Sequence, residues 1–193
     1  MGALAKPRSD MTVDEFLAWE PGTQGVRWQL RDGEPEMMAP ASDAHGSIQA
    51  ELARLIGNHL AERGACRVLV TPGVVPRVRS SENFLIPDLG ITCTPAAGGT
   101  TIPDPVALIE ILSPSNERET RANVWAFATI PSVQEIVLLR STSIAAEVWR
   151  RGSDNSWPEE AEVIGAEGAL ALETIGFSVP LAAAYRTSGL GRS

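Results

Sequence analysis

The stretch Val106-Ala-Leu-Ile-Glu-Ile-Leu112 decides the fold. It is a continuous apolar run with a single charge in it, closed by Ser113-Pro114-Ser115. Such a run reads as a central strand covered on both faces, the pattern of an α/β protein whose sheet is flanked by helices. Glu110 is its informative residue. A carboxylate inside a buried strand is costly unless it is paired or ligates a cation. Both readings stay open at this point, because the chain carries fifteen arginines.

Outward on the N-terminal side, a neighbouring strand starts near Leu85 and carries Pro87-Asp88 into Leu89-Gly-Ile-Thr-Cys93. Pro87 fixes the backbone just before Asp88. A Pro-Asp pair alone is common at turns. Two carboxylates from adjacent strands, however, can converge on one hard cation, and Mg²⁺ takes one or two carboxylates with waters and phosphate oxygens. Asp88 and Glu110 are therefore the predicted metal pair, with the Ile111 carbonyl as a natural third ligand.

The remaining elements follow from periodicity and punctuation. Thr12-Val-Asp-Glu15 is a capping box for a helix over 13–19. Asp32-Gly33 is the favoured two-residue hairpin turn between 26–30 and 34–38. Ser42 or Asp43 caps a helix over 44–62, whose apolar face is Ile48, Leu52, Leu55, Ile56 and Leu60. Strands are expected at 66–70 and 73–79, and a surface loop at 94–105. Beyond the central run the pattern gives a helix at 117–129 and strands at 133–140 and 144–151. Short peripheral strands follow at 159–164 and 169–172, then a last helix from Pro180 to Tyr185.

A chain of 193 residues is most economically one domain. The expected layout is a flexible arm over 1–10, a domain over 11–186 and a loose tail over 187–193. No apolar run approaches the roughly 18 residues of a membrane span, and Met1 to Asp10 lacks the apolar core of a secretory signal. Cys66 and Cys93 fit no metal spacing, so the expectation is a soluble, cytoplasmic protein with reduced thiols. The net charge is −8 and the pI about 4.8. That is the wrong sign for gripping phosphate over a broad face. The one lysine is Lys6, in the expected arm.

Other candidates carry bland alternatives. Glu34 follows a turn and reads equally as a solvated hairpin residue. His45 lies in a first helical turn, where the helix dipole favours neutral imidazole; it can accept a proton, contact a phosphate, or serve locally. His59 sits on the apolar face and reads as core. Trp28, Trp125, Trp149 and Trp157 could stack on bases but are better explained as core or interface anchors.

Several blocks resemble the Uma-two family of restriction-endonuclease-like proteins, within the PD-(D/E)xK superfamily. They are Met11-Thr-Val-Asp-Glu-Phe-Leu-Ala-Trp19, Asp32-Gly-Glu34 with Met37-Met38-Ala-Pro40, and His45-Gly46. The others are Ile86-Pro-Asp-Leu89, Ile109-Glu-Ile-Leu-Ser-Pro-Ser115 and Ile130-Pro-Ser-Val-Gln-Glu135. The likeness runs from about 11 to 186. It implies a restriction-endonuclease-like mixed β-sheet flanked by helices, and Mg²⁺- or Mn²⁺-dependent hydrolysis of phosphodiester bonds in DNA by a homodimer. The family's carboxylates fall on Asp88 and Glu110, its accompanying acid and histidine on Glu34 and His45.

One departure bears on activity. The standard motif has lysine two residues after the second carboxylate, where this chain has Leu112. The Uma-two pattern usually moves that lysine to the next helix, four residues before an aromatic, which lands on Asn123 and Phe127, with Glu119 where the family often has Asp. Asn123 can donate a hydrogen bond to phosphate or water but carries no charge. Arg121 is the nearest cation in sequence, on a different helical direction. The expected function is a metal-dependent endodeoxyribonuclease with Asp88, Glu110, Glu34, His45 and Asn123 as site residues. The alternative is a nuclease-fold module that binds DNA or protein without cutting.

Overall fold

A computed structural model describes residues 10–22 and 25–191. Apart from Asp10, the expected arm lies outside the described residues, as do 192 and 193.

The chain begins with α1 (Val13–Ala18), opened by the predicted capping box: Thr12 Oγ1 accepts from the Glu15 amide, and Glu15 accepts from the Thr12 amide at 2.8 Å. Strands β1 (Trp28–Arg31) and β2 (Glu34–Met37) form an antiparallel hairpin that pairs Arg31 with Glu34. Its turn residues Asp32 and Gly33 both have positive φ, 49° and 81°, as a tight right-twisting hairpin requires. The hairpin bridges to the rest of the molecule where Leu30 pairs with Phe84.

Helix α2 (Asp43–Ala61) is capped by Ser42. Strand β3 (Arg67–Val70) follows, then β4 (Leu89–Thr92), β5 (Pro105–Leu112), α3 (Glu117–Ala128), β6 (Glu135–Arg140), β7 (Ala146–Arg150) and β8 (Glu162–Ile164). These six strands make one sheet in the order β3-β4-β5-β6-β7-β8, in which only β5 and β6 run parallel. The parallel step needs a crossover, and α3 supplies it. A two-stranded ribbon of β9 (Ala169–Leu172) and β10 (Phe177–Pro180) precedes the short α4 (Leu181–Ala184). The architecture is thus a mixed sheet flanked by helices in a single α/β domain.

Alternation along β5 sorts the core into two layers. Ala107, Ile109 and Ile111 pack with Ile48, Leu52, Ile56 and Leu60 of α2. Leu108 and Leu112 face the other way, with Val124 and Phe127 of α3 and Ile136 and Leu138 of β6. Glu110 shares this second face by parity.

Four sequence expectations are corrected. The strand over 73–79 is reduced to isolated bridges at Gly73 and Val74, in a segment interrupted by Pro72 and Pro76, which cannot donate to a ladder. Strand β10 was not expected, its apolar residues being few and its end a proline. The tail from 187 is packed over its described part, with Ser188 buried and Leu190 against the α2-side core. The thiols are not free: Cys66 and Cys93 form a disulfide. Arg67 pairs with Thr92 in the β3–β4 register, so the cysteines are the next opposed pair. No helix among the described residues is long and apolar enough to cross a membrane.

One buried acid is purely a clamp. Glu51 on α2 accepts from Arg54 Nη2 at 2.7 Å and from Arg186 Nε at 2.8 Å, tying the helix to the chain after α4. The hydrogen bonds from Arg54 and then Arg186 bring its carboxyl down to about 2.

Candidate functional site

The β4–β5 register pairs Leu89 with Ile109, so one further step sets Asp88 opposite Glu110. The two acids on adjacent strands expected from sequence are thus brought together at the head of β4. Both are buried, at 9% and 7% exposure. Burial first, and the Asp88 charge second, push the Glu110 carboxyl up to about 8; a hydrogen bond from Asn123, one from the Asp88 backbone amide, and the Arg31 charge act against them. No cation touches Glu110 directly among the described residues.

Asp88 is held from two elements, α2 and β5. His45 Nε2 lies 2.9 Å from its Oδ1. The Ile111 amide donates to Oδ2 at 2.7 Å. Gln49 Nε2 donates to the Asp88 carbonyl at 2.9 Å and to Oδ1 at 3.4 Å. His45 and Gln49 are one helical turn apart on α2, so the start of that helix grips Asp88 twice. The N–H and C=O of a strand residue leave on the same edge, so the Ile111 carbonyl faces the Asp88 side with its amide.

Asn123 of α3 donates from Nδ2 to Glu110 Oε1 at 2.9 Å. Its Oδ1 accepts from Arg31 Nη1 at 2.7 Å. The amide is thereby oriented between a cation and an acid, itself only 4% exposed. Arg31 Nε is in turn 3.0 Å from Glu36 Oε2, which also accepts from Gln29 Nε2 at 3.1 Å.

Not every predicted residue arrives. Glu34 is exposed at the end of the hairpin; the hairpin acid that engages Arg31 is Glu36, two residues on and on the same strand face. Arg121 is no substitute cation for the site, because Nη1 and Nη2 bind Glu147 at 2.7 and 2.8 Å and Nε binds Glu117 at 3.0 Å. His59 is half-buried, bonded to the Ile175 carbonyl and edge-on to Phe177. Trp28 packs edge-on against Trp19, Trp149 is buried, Trp157 lies under Arg151, and Trp125 is exposed.

Sequence reasoning missed Arg31, Gln49 and Glu36. Arg31 is separated from Asn123 by 92 positions, with no local pattern linking them. Gln49 had a signal: it lies one helical turn after His45, on the same face.

Among the described residues no three His, Cys, Asp or Glu side chains gather as a metal-binding group. The set at hand is smaller, two carboxylates and a backbone oxygen.

Known proteins support the fold. The family described as "Uma2: Putative restriction endonuclease" matches residues 13–182. An uncharacterized protein of Synechocystis sp. is 28% identical over 185 residues, covering 93% of this chain and 94% of the relative. A crystal structure from Anabaena variabilis, titled a putative nuclease belonging to DUF820, superposes with a TM-score of 0.73 at 16% identity, covering 92% of this chain and 99% of the other.

Proposed function

Since the chain belongs to the Uma2 family, we propose that it is a divalent-metal-dependent nuclease acting on DNA through Asp88 and Glu110. The observation that carries this is the opposition of two buried carboxylates across adjacent strands, with no cation bonded to Glu110 among the described residues. Two like charges in a low-dielectric site repel strongly, and a bound cation relieves that repulsion. The donor set is all oxygen, which suits Mg²⁺ or Mn²⁺ rather than softer metals. Asp88, Glu110 and the Ile111 carbonyl would hold the ion.

Such a cation supplies acidification of an attacking water and neutralisation of charge building on the phosphate. The chain's own residues do the positioning. His45, Gln49 and the Ile111 amide fix the Asp88 carboxylate, leaving its other lone pairs for the site. Asn123 fixes Glu110, and the Glu36–Arg31 pair fixes Asn123. The test is incubation of supercoiled plasmid and of single-stranded DNA with millimolar Mg²⁺ or Mn²⁺. Cleavage by the wild type that disappears in Asp88→Ala supports the proposal; no cleavage, or equal cleavage by Asp88→Ala, refutes it.

A second reading has its own observation. The residue that bonds Glu110 from α3 is a neutral amide, with no lysine among the described residues. A module that binds metal and nucleic acid without cutting would give metal-dependent DNA binding and intact plasmid in the same assay.

A further inference from the structure

We propose that Arg31 is the phosphate-contacting cation of this site, delivered by the β1–β2 hairpin rather than by the sheet or α3. Its guanidinium is committed on two sides only. Nε goes to Glu36 and Nη1 to Asn123. Among the described residues Nη2 has no partner, which leaves its N–H groups to donate to a phosphate oxygen. Arg31 is also less shielded than the groups behind it: its side chain is 18% exposed, against 12% for Asp88 and 11% for His45.

The fixing contacts explain why this arginine is pre-organised. Gln29 and Arg31 both hold Glu36, so the side chain is braced from its own hairpin. Asn123 then links the guanidinium to Glu110, which sets the distance between the phosphate-holding nitrogen and the carboxylate pair. In a chain of net charge −8, an anionic ligand has few routes in. A single braced guanidinium next to two carboxylates binds a phosphodiester only where a divalent ion offsets the acids, so DNA affinity is coupled to metal.

This inference rests on the nuclease reading for its ligand, and the test separates the two. A fluorescein-labelled DNA duplex is titrated by anisotropy over a series of salt concentrations, in EDTA and in Ca²⁺, with Arg31→Met, Arg31→Lys and, as a surface-charge control beyond the far end of α2, Arg63→Met. Mn²⁺ affinity is measured in parallel by calorimetry. Expected is Ca²⁺-dependent duplex binding that falls about tenfold in Arg31→Met, with the log–log salt slope reduced by about one. Arg31→Lys recovers part of the affinity, and Arg63→Met matches the wild type. Mn²⁺ binds more tightly to Arg31→Met, because a repelling charge has gone; a collapsed site would bind it more weakly. The inference is overturned if Arg31→Met binds duplex with wild-type affinity and slope, if Mn²⁺ binding weakens with it, or if the wild type does not bind duplex at all. Intact plasmid in Mn²⁺ with the Arg31 effects present refutes cutting and leaves the phosphate contact standing.

Discussion

Glu51 and Glu110 are the same residue type, buried to the same degree, 5% and 7% exposed, and on opposite sides of the sheet's chemistry. On α2, Glu51 meets two guanidinium groups, and its carboxyl is brought down to about 2. On β5, Glu110 meets an amide and a second carboxylate, and burial with that like charge pushes it up to about 8. A saturated buried acid is a clamp that holds the C-terminal segment. A buried pair of like charges without a cation costs the fold unless a ligand offsets it. At Glu51 the two arginines outweigh burial, whereas at Glu110 burial leads and the partners do not offset it.

The largest effect that can break this contrast is on cleavage. Glu110→Gln and Asp88→Ala should each reduce metal-dependent plasmid cutting by more than the roughly 10–100-fold typical of a residue one step removed from a metal, while Asn123→Ala falls within that range. Glu51→Gln should cut like the wild type. Equal losses at Glu51 and Glu110 would erase the distinction.

Stability sharpens it next. The Cys66–Cys93 bridge closes a loop with a sequence separation of 27. Chain-entropy arguments put its contribution at about 3.5 kcal/mol, so reduction should lower the midpoint of urea unfolding without changing Mn²⁺ affinity. Glu51→Gln should lower Tm by a few degrees, because it strips two arginines of their acid. Glu110→Gln should raise Tm in the metal-free protein at pH 8.

The smallest effects are the pH limbs, and they have opposite sign. Folded Glu110 holds its proton more tightly than the unfolded chain does. Its share of metal-free stability is therefore full below about 4.5 and lost as pH rises toward about 8. Glu51 holds its proton less tightly when folded, so its share is present above 4.5 and lost as pH falls toward about 2. Thermal scans from pH 2 to 9 on Glu110→Gln and Glu51→Gln should flatten the alkaline and acid limbs respectively.

Much of this was legible along the chain. The apolar run gave β5 because a strand covered on both faces leaves no alternation to confuse, and its one charge marked Glu110. The capping box gave α1, and Asp32-Gly33 gave the hairpin turn. Asp88 opposite Glu110 needed only that the two flanking segments pair as antiparallel neighbours. What stayed hidden depends on register or on distant partners. The disulfide joins residues one step beyond paired strand ends, visible only once Arg67 is set against Thr92. Arg31 reaches Asn123 from the hairpin to α3, and no periodicity in either segment encodes that approach. Glu34 looked like the hairpin's acid, yet it is Glu36, two residues on along β2 and on the same face, that bonds Arg31.

The most direct measurement is a calorimetric titration of Mn²⁺ into the wild type, Asp88→Ala and Glu110→Gln. The account predicts binding to the wild type that is lost in both variants. Absence of binding to the wild type, or unchanged binding in either variant, would contradict it.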